Sequence, residues 1–160
     1  MGKVTRSLSA GYTIVEFIVV IAVIGILAAL AFTGITNSQA RARDAERVAD
    51  MNTLHSRLEE YHNDKGGYPN TFTATTFAGI DPEALKDPNG NSITISSTVS
   101  DQAAARAVAS PTGSGAQYIY IPYPTGCTAI TCTGYVLKSY IEQPNGDIPN
   151  PYARYGLNNN

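Results

Sequence analysis

Hydrophobic positions along this chain change their period twice. From Tyr12 to Phe32 they run almost without interruption, "YTIVEFIVVIAVIGILAALAF", apolar on every face of a helix, which is the pattern of a segment buried in a membrane or in a bundle rather than on a domain surface. From Asn37 to about His62 the run gives way to a stripe, with Ala45, Val48, Met51, Leu54, Leu58 and Tyr61 recurring at steps of three and four. That spacing predicts an amphipathic helix whose apolar face packs on a sheet. Its other face alternates Arg43 and Arg47 with Asp44, Glu46 and Asp50, the usual composition of a solvated face. "DKGGYP" stops the helix with Gly66, Gly67 and Pro69.

Beyond Tyr68 the periods are short. "IDPEALKDPNGN" reads as turns and "SITISSTV" as a strand, and "SDQAAARAVAS" reads as a short helix capped by Ser100. "PTGSG" reads as a loop, and "AQYIYIPYP" and "GYVLKSYIEQ" as an antiparallel pair of strands. Pro122 and Pro124 confine the end of the first of these to an edge, and the tail "PNGDIPNPYARYGLNNN" is turn-rich material lying across the sheet. The expected class is α+β: a long N-terminal helix, membrane-spanning in its first half and amphipathic in its second, on a small antiparallel sheet. A chain of 160 residues accommodates one such domain besides the apolar segment.

The 21 residues from Tyr12 to Phe32 reach about 31 Å as a helix, the thickness of a hydrocarbon core. An ordinary secretory signal has a shorter apolar region and a small-residue cleavage site, whereas here the run passes straight into a polar helix. Lys3 and Arg6 precede it, and Arg41, Arg43 and Arg47 follow, so the distribution of basic residues leaves its orientation undecided. Glu16 is the anomaly. A carboxylate in a spanning segment costs a few kilocalories per mole near its centre and is usually functional. Either Glu16 lies close enough to the interface to stay wet, or it meets a cation, and no Lys or Arg lies within the run. A new N-terminus supplies one: a cut after Gly11 leaves a charged amine on Tyr12, which an adjacent helix shifted by a few residues brings against this carboxylate in a low-dielectric surrounding.

"GYTIVEFIVVIAVIGILAALAF" resembles the N-terminus of type IV prepilins and type II secretion pseudopilins: a short basic leader ending in Gly11, an aromatic at Tyr12, then Thr13, Glu16 and a long apolar run. The resemblance implies a pilin-like fold with residues 1–11 as leader, 12–35 as the transmembrane and filament-core helix, and 36–160 as the globular domain. It also implies cleavage by a prepilin peptidase after Gly11, N-methylation of Tyr12, and Glu16 as the acid that guides filament assembly. The implied partners are further copies of the chain in a homopolymeric filament, the peptidase, the membrane and the inner-membrane pilus or secretion machinery; nucleic acid is not assured. The implied location is a single pass through the plasma membrane before assembly and an extracellular pilus or periplasmic pseudopilus afterwards, with the C-terminal domain outside the cytoplasm. Tyr12 replaces the commoner phenylalanine of the family, and Thr33 with Gly34 stands where many members have a proline. Both are weaker helix formers than alanine.

Composition adds little to this. The net charge of −2 provides no broad basic surface for nucleic acid. Cys127 and Cys132, in "GCTAITCTG", are free thiols, half a metal site or a small disulfide, and their spacing alone does not decide. A disulfide is the expectation carried forward, because zinc needs about four ligands and the only histidines, His55 and His62, lie far upstream. Exposure on the helix is the expectation for both histidines. No cofactor or metal is expected. Asp147 with Asn145 and Asn150 has the hard oxygens of a calcium site, but a turn is the expected use. Tyr118, Tyr120, Tyr123, Tyr135 and Tyr140 are expected to pack on strand faces. No Ser/His/Asp grouping, glycine-rich phosphate loop or HExxH is present, which counts against a membrane-anchored enzyme; the expected function is a non-enzymatic structural subunit of a pilus filament, with a secretion pseudopilin or a minor pilin binding DNA or surfaces as the alternatives.

Overall fold

A computed structural model describes residues 11–113, 115 and 117–158, with the side chains of 31–34 excepted. Helix α1 runs from Ile14 to Lys65 and passes without a break through Thr33 and Gly34. The chain divides into two compact units, Met1–Gln39 and Ala40–Asn160.

In the second unit the helical stretch from Ala40 packs on a four-stranded sheet of order β1-β2-β3-β4, formed by Thr94–Ile95, Tyr118–Tyr123, Gly134–Ser139 and Tyr152–Tyr155. β2, β3 and β4 are antiparallel neighbours, but β1 lies parallel to β2, so the sheet is mixed rather than purely antiparallel. The parallel arrangement follows from α2, Gln102–Ala107, which carries the chain across between the two strands. The helix is capped by Asp101, not Ser100: the Ala104 N–H donates to Asp101 Oδ1 at 2.9 Å, while the Ser100 hydroxyl donates to the same carboxylate.

β2 is an interior strand, not the edge that Pro122 and Pro124 suggest: the Val99 N–H still donates to Pro122 O beyond the end of β1. The Ser96 N–H donates to Tyr120 O; the next bond in a parallel ladder would run from the N–H of residue 122, which proline lacks. β1 therefore stops at Ile95, much shorter than the eight-residue run suggests. The tail also departs from expectation. Tyr152–Tyr155 pairs with Val136–Ser139 as a fourth strand instead of lying across the sheet.

Every residue of β3, and all of β2 except half-buried Ile119, is buried, because helices cover both faces. Tyr118, Tyr120, Tyr135 and Leu137 join Met51, Leu54 and Leu58 of α1 in the main core. Ile121, Tyr123 and Val136 pack with Ala105 of α2 on the opposite face. Each large side chain so buried contributes about 1.5–3 kcal/mol. Also on that face, buried Lys138 donates to Arg106 O and Val108 O, at 2.7 and 2.6 Å, which satisfies the orphan carbonyls ending α2.

The buried stripe of α1 differs from the apolar one in its first turns. Ala45 is exposed and Val48 half-buried, whereas Asp44 and Arg47 are buried, Arg47 to 0% exposure. The expected solvated face is in part a buried network. Arg47 donates to Asp44 Oδ1 (2.7 Å), to Gln117 Oε1 (2.9 and 2.6 Å) and to Glu142 Oε1 (2.7 Å). Arg43 holds both oxygens of Glu142, at 2.8 and 2.6 Å. Asp44 accepts the backbone N–H groups of Glu142 and Gln143, at 2.9 and 2.8 Å. A buried guanidinium is tolerated because each partner is itself hydrogen-bonded, and the network ties α1 to the chain just after β3. The Arg43 hydrogen bonds, with Arg47 behind them, hold the Glu142 carboxyl down at about 2.

At its C-terminal end α1 meets the cysteine loop. Gly66 takes a positive φ of 82°, and its N–H reaches His62 O. Cys127 and Cys132 form a disulfide; closing so short a loop is worth about 2 kcal/mol. The Tyr68 N–H donates to Cys132 O at 2.9 Å. Gly67 lies so close to Ile130 that an added Cβ would come within 2.1 Å of its carbonyl oxygen.

Candidate functional site

In the first unit, every described side chain from Gly11 to Leu30 is exposed. Phe17 is 66% exposed, Leu27 60% and Leu30 68%, so nothing in the described chain covers this apolar surface. It is long and apolar enough to cross a membrane. A helix apolar all round is stable only in lipid or against other helices.

Glu16 sits in the first turn of α1, where a carboxylate is favoured by the helix dipole. Its N–H donates to Thr13 Oγ1 at 3.2 Å, and the Thr13 N–H approaches Glu16 Oε2 at 3.5 Å. Thr13 and Glu16 thus form a capping box, in which each side chain serves the other's backbone N–H. The S/T-x-x-E signature of that box is present in "TIVE", a local signal separate from the charge of Glu16. Gly11 and Tyr12 precede the box, both exposed; Lys3 and Arg6 lie outside the described residues.

The other candidates belong to the second unit. Asn145 Oδ1 accepts the N–H groups of Asp147 and Ile148, both at 2.9 Å, and Asn150 Oδ1 accepts that of Ile141. Both side-chain oxygens are thereby used in holding turns. Among the described residues no group of three or more His, Cys, Asp or Glu side chains could hold a metal ion.

The histidines are half-buried rather than exposed. His62 rests on the Tyr68 ring, with centroids 4.5 Å apart, and contacts Asn158. His55 Nδ1 lies 2.7 Å from the Tyr135 hydroxyl, which donates to Glu59 Oε1 at 3.0 Å. Glu59 also accepts the Tyr68 hydroxyl and the Leu157 N–H. Burial lowers the His55 pKa and raises that of Tyr68 to about 12, and it pushes Tyr118, Tyr120 and Tyr135 above the ordinary phenol value. These tyrosines are core residues with anchored hydroxyls: Tyr118 donates to Asp50 Oδ2 at 2.8 Å and Tyr120 to Pro69 O at 2.6 Å. Tyr140 is half-buried, its ring 5.8 Å from the Arg47 guanidinium.

An exposed apolar helix that opens on a capped glutamate, together with an α+β domain whose helix packs on a four-stranded sheet, is a pilin-like architecture. The curated homologues agree. The chain is 31% identical over 68 residues to the type IV major pilin protein PilA of Myxococcus xanthus, covering 42% of this chain and 31% of that one. It is 33% identical over 73 residues to a fimbrial protein of Neisseria meningitidis, covering 46% and 43%. It is 30% identical over 79 residues to the type II secretion system core protein G of Aeromonas hydrophila, covering 49% and 55%. The matches span roughly a third to just over half of these relatives' lengths. No protein-family model and no solved structure matches the chain.

Proposed function

We propose that this protein is a non-enzymatic structural subunit of a type IV pilus filament, made as a single-pass membrane precursor and built into the filament through its N-terminal helix. The observation that carries this reading is the exposed, wholly apolar helix from Ile14 to Leu30 with one capped carboxylate at its start. In the precursor the surface is covered by lipid. In the filament it is covered by copies of itself, which supply cohesion through packing.

In this reading prepilin peptidase cuts after Gly11 and the amine of Tyr12 is methylated. Residues 12–35 form the filament core and 36–160 the outer domain. Glu16 pairs with the charged N-terminus of a neighbouring copy and sets the axial register. The Thr13 bond is local, so the carboxylate enters the apolar phase partly satisfied, and its remaining acceptor sites stay open for the neighbour.

The resemblance to type II secretion core protein G favours a second reading, a short periplasmic pseudopilus with the same helix chemistry. Replacing Glu16→Ala tests the shared mechanism. Membrane insertion remains normal while filaments sheared from cells fall severalfold; an undiminished filament yield would refute the pairing.

A further inference from the structure

A groove of about 470 Å³ runs along one side of the second unit, lined by His55, Ala153, Arg154, Tyr155, Gly156 and Leu157. Its chemistry is set by two hydrogen-bonding decisions made beneath it. A hydroxyl has one hydrogen, and the Tyr135 hydroxyl gives its hydrogen to the acceptor-only carboxylate of Glu59, so it must accept from His55 at the 2.7 Å contact. Nδ1 of His55 therefore carries the ring proton, and Nε2 is left with a lone pair.

The second decision concerns Arg154. Its Nε and Nη2 both donate to Asn52 Oδ1, at 2.9 and 2.6 Å, and its guanidinium lies 5.3 Å from the centre of the Tyr152 ring. Arg43, Arg47 and Arg57 each hold a carboxylate, but among the described residues Arg154 has only the neutral Asn52. A guanidinium fixed in place by an amide, with spare N–H groups and no counter-ion, is organised for an oxyanion.

The two groups ask for different things. Arg154 requires an anionic acceptor, and the Nε2 lone pair of His55 requires a donor. Leu157, 75% exposed, adds an apolar wall. Glu59, 3.9 Å from His55 Nδ1, is held beneath the groove by two hydroxyls and a backbone N–H. We propose that this groove binds a carboxylate bearing a nearby hydroxyl group, the chemistry of a hydroxy acid or sugar acid. The carboxylate pairs with Arg154, and the hydroxyl donates to His55. The assignment stands on this unit alone and holds whichever filament the chain builds.

The test is a titration of the isotope-labelled full chain in detergent micelles, following the Arg154 Nε–H and His55 ring signals by NMR. The probes are glucuronate, acetate and glucose. Glucuronate shifts both signals saturably, with a dissociation constant on the order of 1 mM. Acetate binds about tenfold more weakly for want of the hydroxyl, and glucose does not saturate. Arg154→Gln abolishes the glucuronate response. Leu157→Glu, a change at an exposed side chain that leaves the fold intact, does so by repulsion. The proposal is overturned by a glucuronate response that fails to saturate, by acetate or glucose binding as tightly as glucuronate, or by an undiminished response in Leu157→Glu.

Discussion

Taking away the Arg47 guanidinium removes a charged donor from three groups at once: the Gln117 amide oxygen, the Asp44 carboxylate, which keeps two backbone N–H groups, and Glu142 Oε1, which keeps Arg43. Arg47→Met fills much of the same volume without a donor, and it should lower stability by about 3–5 kcal/mol, the usual result of breaking one side of a buried ionic network. Thermal unfolding of the detergent-solubilised chain measures this, and a loss under about 1 kcal/mol would show that the network is not holding the helix. Pattern reading could not find these residues. It assigns charged side chains to water, and what buries Arg47 is a set of partners up to 95 positions away. Thr13 and Glu16 are the opposite case: they lie three residues apart, and their pairing is a local one that the capping-box signature carries in the sequence itself. Thr13→Ala should cost about 1 kcal/mol at the start of α1, seen as faster amide exchange in its first turn; unchanged exchange would remove the capping role.

At the scale of elements, α1 was legible because its two halves carry opposite and unambiguous patterns, and β2 and β3 because "YIYIPY" and "GYVLKS" are rich in β-branched and aromatic residues. β1 was read too long because its end is decided on another strand, by Pro122. β4 was missed because "YARY" is short and set among turn residues, and its pairing with β3 is a tertiary fact. Gly67 was read as a helix stop, which is half of its role; the other half is clearance for the Ile130 carbonyl. Gly67→Ala should therefore destabilise the domain by about 1–3 kcal/mol and displace the disulfide loop. A thermal midpoint unchanged from that of the parent would mean that the contact yields freely.

For the whole molecule, the pH dependence of stability follows from Glu142. Its carboxyl, ordinarily near 4.5, is held down at about 2 by Arg43 and Arg47. A group whose folded pKa is depressed stabilises the native state above its unfolded value, and that stability is lost as pH falls through the folded one. Unfolding midpoints should drop between about pH 4.5 and pH 2, and the difference between the parent chain and Glu142→Gln should shrink over the same window. A constant difference would deny the linkage. The larger-scale account rests on an apolar helix that nothing among the described residues covers. In the proposed reading the same twenty-odd residues serve first a membrane and then a filament, and the filament requires the new N-terminus that cleavage after Gly11 would create. Mass spectrometry of the N-terminal peptide, taken from filaments sheared off intact cells, tests this most directly. The account predicts a peptide that begins at methylated Tyr12; recovery of the chain in that fraction with its Met1 leader still attached would contradict it.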